Sequence, residues 1–237
     1  MKTIGLIGGI SWQSSVTYYQ VINRKVNGLL GGSHSAKVLM YSVDFDEVSR
    51  MQHEGRWDDF RDLLGDAAKR LEHGGADFFL ICANTAHIVA GGVAAAVDIP
   101  LVHIGDAVGE AIKKAGFQKV GLLGTRFTME KDFLKDRLRA KFGIESIVPE
   151  QADRDIVHSV IYNELVNGDI RDESRKEYLR IIDKLTAEGA EAIILGCTEI
   201  PLLVTPRDTD AALFDTATIH AERAVKIALG QVEAAVA

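Results

Sequence analysis

Residues 71–85 read "LEHGGADFFLICANT", and residues 185–199 read "LTAEGAEAIILGCTE". At an offset of 114, Leu71, Gly75 and Ala76 fall on Leu185, Gly189 and Ala190, and Asp77 falls on Glu191. Each copy is the tail of an amphipathic helix, a glycine, and an aliphatic run that breaks into small polar residues. A second match, "IGLIGG" at 4–9 with "VGLLGT" at 120–125, has an offset of 116. Order and spacing agree, so the chain reads as two copies of one α/β unit.

Outward from these segments, short aliphatic runs alternate with longer amphipathic ones. Strands are predicted at 3–8, 37–44, 77–83, 100–104, 119–124, 144–149, 191–197 and 211–215. "WDDFRDLLGDAAKRLEHGG" and "ESRKEYLRIIDKLTAEGA" carry apolar residues at three- and four-residue spacing and end near glycine, as helices do. Alternation of this kind predicts parallel sheets flanked by helices. The fold class expected is α/β: two pseudo-symmetric domains, each a parallel sheet flanked by helices, with the active cleft between them. The first domain is expected over residues 1–103 plus about 210–237, the second over 104–209. The final segment, "IHAERAVKIALGQVEAAVA", has no counterpart at the repeat offset and is expected to pack on the first half.

Bulk properties bound the function. With 237 residues, 47% hydrophobic and 26% charged, the chain is of ordinary globular composition. A net charge of −7 argues against a general grip on nucleic acid. Two cysteines read as free thiols in a reducing compartment. "MKTIGLIGGISW" is short and broken by glycines, a first core strand rather than a signal peptide or membrane span. A cytoplasmic location follows as the expectation. No His/Cys/Asp cluster has zinc-ligand spacing, and "GG" at 8–9 lacks the spacing of a dinucleotide fingerprint, so neither metal nor cofactor is expected.

At the repeat offset Ala83 stands opposite Cys197, Asn84 opposite Thr198, and Thr85 opposite Glu199. Ligands of open parallel sheets bind at the carboxyl ends of strands, so these residues mark the expected site. Two thiols on opposite faces of a carbon acid could invert it, one removing a proton while the other supplies one. Cys197 fits half of that arrangement, and a following helix N-terminus would lower its pKa. A small buried hydrophobe is the other reading of Cys197. Strand alternation turns Cys82 away from the face of residue 83, so it reads as packing. His87, His103 and His220 read as structural or supporting.

The stretches "IGLIGGISWQSSVTYY", "SVDFDEV", "CANTAH", "LLGTRFTME", "LGCTEIPLLV" and "FDTATIHAERAV" resemble the aspartate/glutamate racemase family over essentially the whole chain. The resemblance implies a cofactor-independent racemase of an acidic amino acid, with two acid/base positions, one before "NT" and one in "GCTE". These fall on Ala83 and Cys197. It further implies substrate contacts from Ile10 and Ser11 after the first strand, from Gln52, and from Asn84, Thr85, Thr125, Thr198 and Glu199. A homodimer is left open.

Alanine at 83 departs from the pattern, since relatives carry cysteine or threonine there and alanine can neither accept nor donate a proton. Three accounts follow. The residue is an engineered replacement that traps a ligand; or the chain is a one-thiol lyase, such as a decarboxylase, using Cys197 alone; or it binds an amino acid without turnover.

Overall fold

The computed structural model describes residues 1–234. The first part of the chain forms β1 (Ile4–Gly8), α1 (Trp12–Leu30), β2 (Val38–Ser42), α2 (Phe45–Glu54), α3 (Trp57–His73) and β3 (Phe78–Ile81). A 3₁₀ turn (Thr85–Val89), α4 (Ala90–Ala94) and α5 (Ile104–Ala115) follow. Next come β4 (Lys119–Gly124), α6 (Arg126–Glu130), α7 (Phe133–Phe142), β5 (Glu145–Ile147), α8 (Gln151–Asn163) and a second 3₁₀ turn (Leu165–Asn167). The chain continues through α9 (Asp172–Ala187), β6 (Ala192–Gly196), α10 (Ile200–Leu203), β7 (Ala212–Asp215) and α11 (Thr216–Ala228).

Two compact units result. One comprises Met1–Ile104 and the segment from His220, the other Gly105–Ile219. The first contains a parallel sheet of order β2-β1-β3, the second a parallel sheet of order β5-β4-β6-β7. Strands β1, β3 and β6 are buried along their whole length, as expected of parallel strands covered on both faces.

The repeat read from sequence recurs in hydrogen-bond register. Ile4 pairs with Phe78 in the first sheet and Val120 with Ala192 in the second, at the same offsets of 116 and 114. Helix α3 buries Leu64, Ala67, Ala68 and Leu71; α9 buries Tyr178, Ile181, Ile182 and Leu185 at the equivalent positions. Volume is exchanged between layers. Small Ala67 and Ala68 share a core with bulky Phe79, whereas bulkier Ile181 and Ile182 share theirs with the smaller Ile193.

Both helices stop in the same way. The amides of Ala76 and Ala190 donate to the carbonyls of Leu71 and Leu185, at 3.0 and 2.9 Å. That closure needs positive φ at Gly75 (90°) and Gly189 (96°), which glycine adopts without steric cost. Asp77 and Glu191 then serve as strand anchors. Asp77 accepts from the Thr3 amide at 2.6 Å, and Glu191 accepts from the amides of Gln118 and Lys119 at 2.6 and 2.9 Å.

Three expectations need correction. Residues 100–104 do not form a strand: Leu101 makes a single parallel bridge to Phe79, and α5 begins at Ile104. That bridge matches Ile193–Leu213, where β7 has room to continue. Residues 210–219, expected with the first domain, belong to the second unit because β7 pairs with β6. Predicted strand ends at Asp44 and at Cys82–Ala83 lie outside the strands, Asp44 being the N-cap of α2. The described part of the terminal segment, residues 220–234, groups with the first unit, where the Lys2 amide donates to the Ala228 carbonyl at 2.9 Å; residues 235–237 lie outside the described residues.

Candidate functional site

In the first unit the carboxyl ends of β1 and β3 carry the predicted residues. The Cys82 amide donates to the Ile7 carbonyl at 3.0 Å, extending the pairing one step past β3. Ser14, on α1, donates from its hydroxyl to the Cys82 carbonyl at 2.7 Å. His87 Nδ1 lies 2.8 Å from the Ala83 carbonyl, and its Nε2 accepts from the Ile104 amide at 3.2 Å. An amide proton at Nε2 requires a lone pair there, so in the neutral ring the proton sits on Nδ1 and is donated to Ala83. Both peptide carbonyls leading through residue 83 are therefore fixed by side chains from neighbouring elements. The Ala83 methyl itself belongs to the apolar cluster with Ile10 and Met51.

Asn84 and Thr85 are buried at the start of the 3₁₀ turn. Ser11 is the N-cap of α1, its hydroxyl accepting from the Ser14 amide at 3.4 Å, while Ser15 Oγ accepts from the Gly9 amide at 2.8 Å. Gln52 lies on α2, the helix that follows β2. It is only 4% exposed, and its Nε2 meets no hydrogen-bond partner among the described residues. An unmet buried donor is costly and uncommon, and marks a place that a ligand could complete.

In the second unit Gly124 pairs with Gly196, which makes Thr125 and Cys197 neighbours at adjacent strand ends. A Cβ at Gly196 would lie 2.7 Å from the Leu123 carbonyl oxygen, so the glycine before Cys197 is required by close approach of the two strands. Thr125 caps α6, accepting from the Thr128 amide at 3.3 Å. Cys197 Sγ donates to Glu199 Oε2 at 2.9 Å, and Thr198 Oγ1 donates to the same oxygen at 2.6 Å.

The thiol does not titrate as expected. Burial, then the Glu199 carboxylate, push Cys197 well above the ordinary thiol value, and the amides of Glu199 and Thr198 offset this only in part. The helix that was to lower it, α10, has four residues and starts at Ile200. Burial also pushes up the Cys82 thiol, in keeping with its packing role. Tyr162 on α8 is pushed up to about 12, first by burial and then by Cys197 and Glu199.

The structure thus gathers Ile10, Ser11, Ala83, Asn84 and Thr85 at one end of the first sheet. It gathers Thr125, Cys197, Thr198 and Glu199 at the equivalent end of the second. Sequence reasoning passed over Ser14, His87 as a partner of Ala83, and Tyr162. His87 carried a signal: it stands four residues after Ala83, so one helical turn brings its ring back onto that carbonyl. His220 spans Tyr18 Oη (2.8 Å) and the Val102 carbonyl (2.7 Å). Among the described residues no group of three or more His, Cys, Asp or Glu side chains could hold a metal ion. None of the described helices is long and apolar enough to cross a membrane.

A duplicated parallel α/β unit with polar residues at equivalent strand ends, and a buried thiol closing one of them, defines a class of enzyme-like double domains. Within that class the chain belongs to the Asp/Glu/Hydantoin racemase family, a family of isomerases, whose model matches residues 7–224. It is similar to a candidate Asp/Glu racemase of Yersinia pestis, at 49% identity and a TM-score of 0.91 over 97% of this chain and 100% of that one. An aspartate racemase homologue of Pyrococcus horikoshii is 35% identical, with a TM-score of 0.86 over 97% and 100% of the two chains. A glutamate racemase of Leptospira borgpetersenii is 28% identical over 179 residues, 73% of this chain and 67% of that protein.

Proposed function

We propose that this chain binds an acidic amino acid, aspartate or glutamate, and exchanges its α-proton on one face through Cys197 without a cofactor. Relatives named for aspartate and for glutamate support the substrate class. The carrying observation is the repeat register, which makes Ala83 the structural equivalent of Cys197. Inversion needs a proton carrier on each face of the α-carbon, and a methyl group carries none. Racemisation is therefore slow here, because a placed acid or base typically contributes ~10²–10⁴-fold.

In this reading Ser11, Asn84 and Thr85 of the first unit, and Thr125 and Thr198 of the second, are groups able to hydrogen-bond an amino or carboxylate group, and Gln52 has an unmet Nε2 proton to donate. Ile10 bounds the site. Incubating the protein in deuterium oxide with each enantiomer of aspartate and glutamate tests this. One enantiomer should lose its α-proton signal while keeping its optical rotation. Rapid loss of rotation would show a second proton carrier other than residue 83.

A second reading, a one-thiol lyase such as a decarboxylase, is favoured by the same methyl group, because protonating a carbanion from one face needs only Cys197. Release of carbon dioxide from a malonate-type acid would select it.

A further inference from the structure

We propose that Glu199 acts as the proton partner of Cys197, the two side chains holding one proton between them, rather than as a substrate contact. This rests on Cys197 being the acid/base group. Glu199 is buried, and its Oε2 receives both the Cys197 thiol at 2.9 Å and the Thr198 hydroxyl at 2.6 Å. An oxygen that already accepts two protein donors has little capacity left for a substrate group.

Charge conservation explains what the pair achieves. Losing the thiol proton to solvent would leave two negative charges side by side in a buried place. Passing it to Glu199 leaves one, displaced by about the length of a hydrogen bond. The amides of Thr198 and Glu199, both directed at the sulfur, then hold the thiolate.

The step balances. The S–H bond breaks as the Glu199 O–H bond forms, and the thiolate electron pair takes the substrate α-proton. The C–H electron pair stays on the α-carbon as a carbanion. Reprotonation by the same thiol reverses the step. Glu199 never touches the reacting carbon, so it is a positioning residue.

The test is the pH profile of Cys197 alkylation by iodoacetamide, read by mass spectrometry in the native chain, Glu199→Gln and Glu199→Asp. Glutamine keeps the shape but lifts the charge that opposes the thiolate. At about pH 8, Cys197 of Glu199→Gln should react ~10-fold faster or more, with Glu199→Asp close to native. A Gln profile lying on the native one, or shifted to higher pH, overturns the pair.

In deuterium exchange the Gln variant should be slower by ~10²-fold despite its freer thiolate, with a rate that climbs with pH, and Asp should restore part. Faster exchange in Gln would rule out the acceptor role. Absence of exchange in the native chain would instead sink the α-proton reading, leaving the alkylation profiles to decide whether the proton is shared.

Discussion

The Ser14 hydroxyl donates to the Cys82 carbonyl at 2.7 Å, from a helix sixty-eight positions away in sequence. This bond orients the peptide that enters residue 83. Ser14→Ala takes a buried donor from a buried carbonyl and should cost about 1–3 kcal/mol. Urea unfolding should show a lower midpoint with an unchanged slope. An unaltered midpoint would mean that the carbonyl has found another donor.

Restoring a proton carrier at residue 83 should restore inversion. Ala83→Cys, or Ala83→Thr, should raise racemisation of aspartate or glutamate by ~10²–10⁴-fold, with one-face exchange retained. Optical rotation and deuterium uptake, measured together, separate the two. No gain with binding intact would favour the one-thiol lyase or the silent binder.

Gln52 should trade stability against binding. Its Nε2 is a buried donor without a partner among the described residues, so Gln52→Leu should leave the thermal midpoint unchanged or raise it. Affinity for the amino acid should fall by ~10-fold, the worth of about one hydrogen bond. Calorimetric titration alongside thermal melts checks both signs. A variant that loses stability and keeps affinity would place the amide in the core instead.

Alkaline pH should destabilise the fold through its two thiols. Both Cys82 and Cys197 are raised in the folded state, so above the ordinary thiol pKa of about 8.5 the unfolded chain loses protons that the folded chain retains. Stability is therefore fully present below that pH and falls as pH rises through it. Urea midpoints between about pH 7 and about pH 10 should drop, and Cys82→Ala should flatten the drop. Equal slopes in the two proteins would show that other groups govern it.

Much of the fold was legible because it is written twice. Gly75 and Gly189, Asp77 and Glu191, and the buried faces of α3 and α9 repeat at one offset, and register follows from them. The strand at 100–104 was not legible. "PLVHI" has a strand's composition, yet a helix starts at its last residue, and no local pattern distinguishes one bridge from a full ladder. The repeat singles out Cys197 as a candidate, but the direction of its thiol shift is not legible there. Burial of the sulfur raises it first, and Glu199, two residues on, folds back onto it; spacing along the chain reveals neither.

Residue 83 is framed by bonds that its own side chain does not make. Ser14 holds the carbonyl before it, His87 holds its own carbonyl, and the methyl group only fills space. The position is thus a socket whose shape is kept by its surroundings, and what is plugged into it is free to vary. A change of side chain at 83 therefore leaves untouched the two bonds that orient the peptides on either side of it.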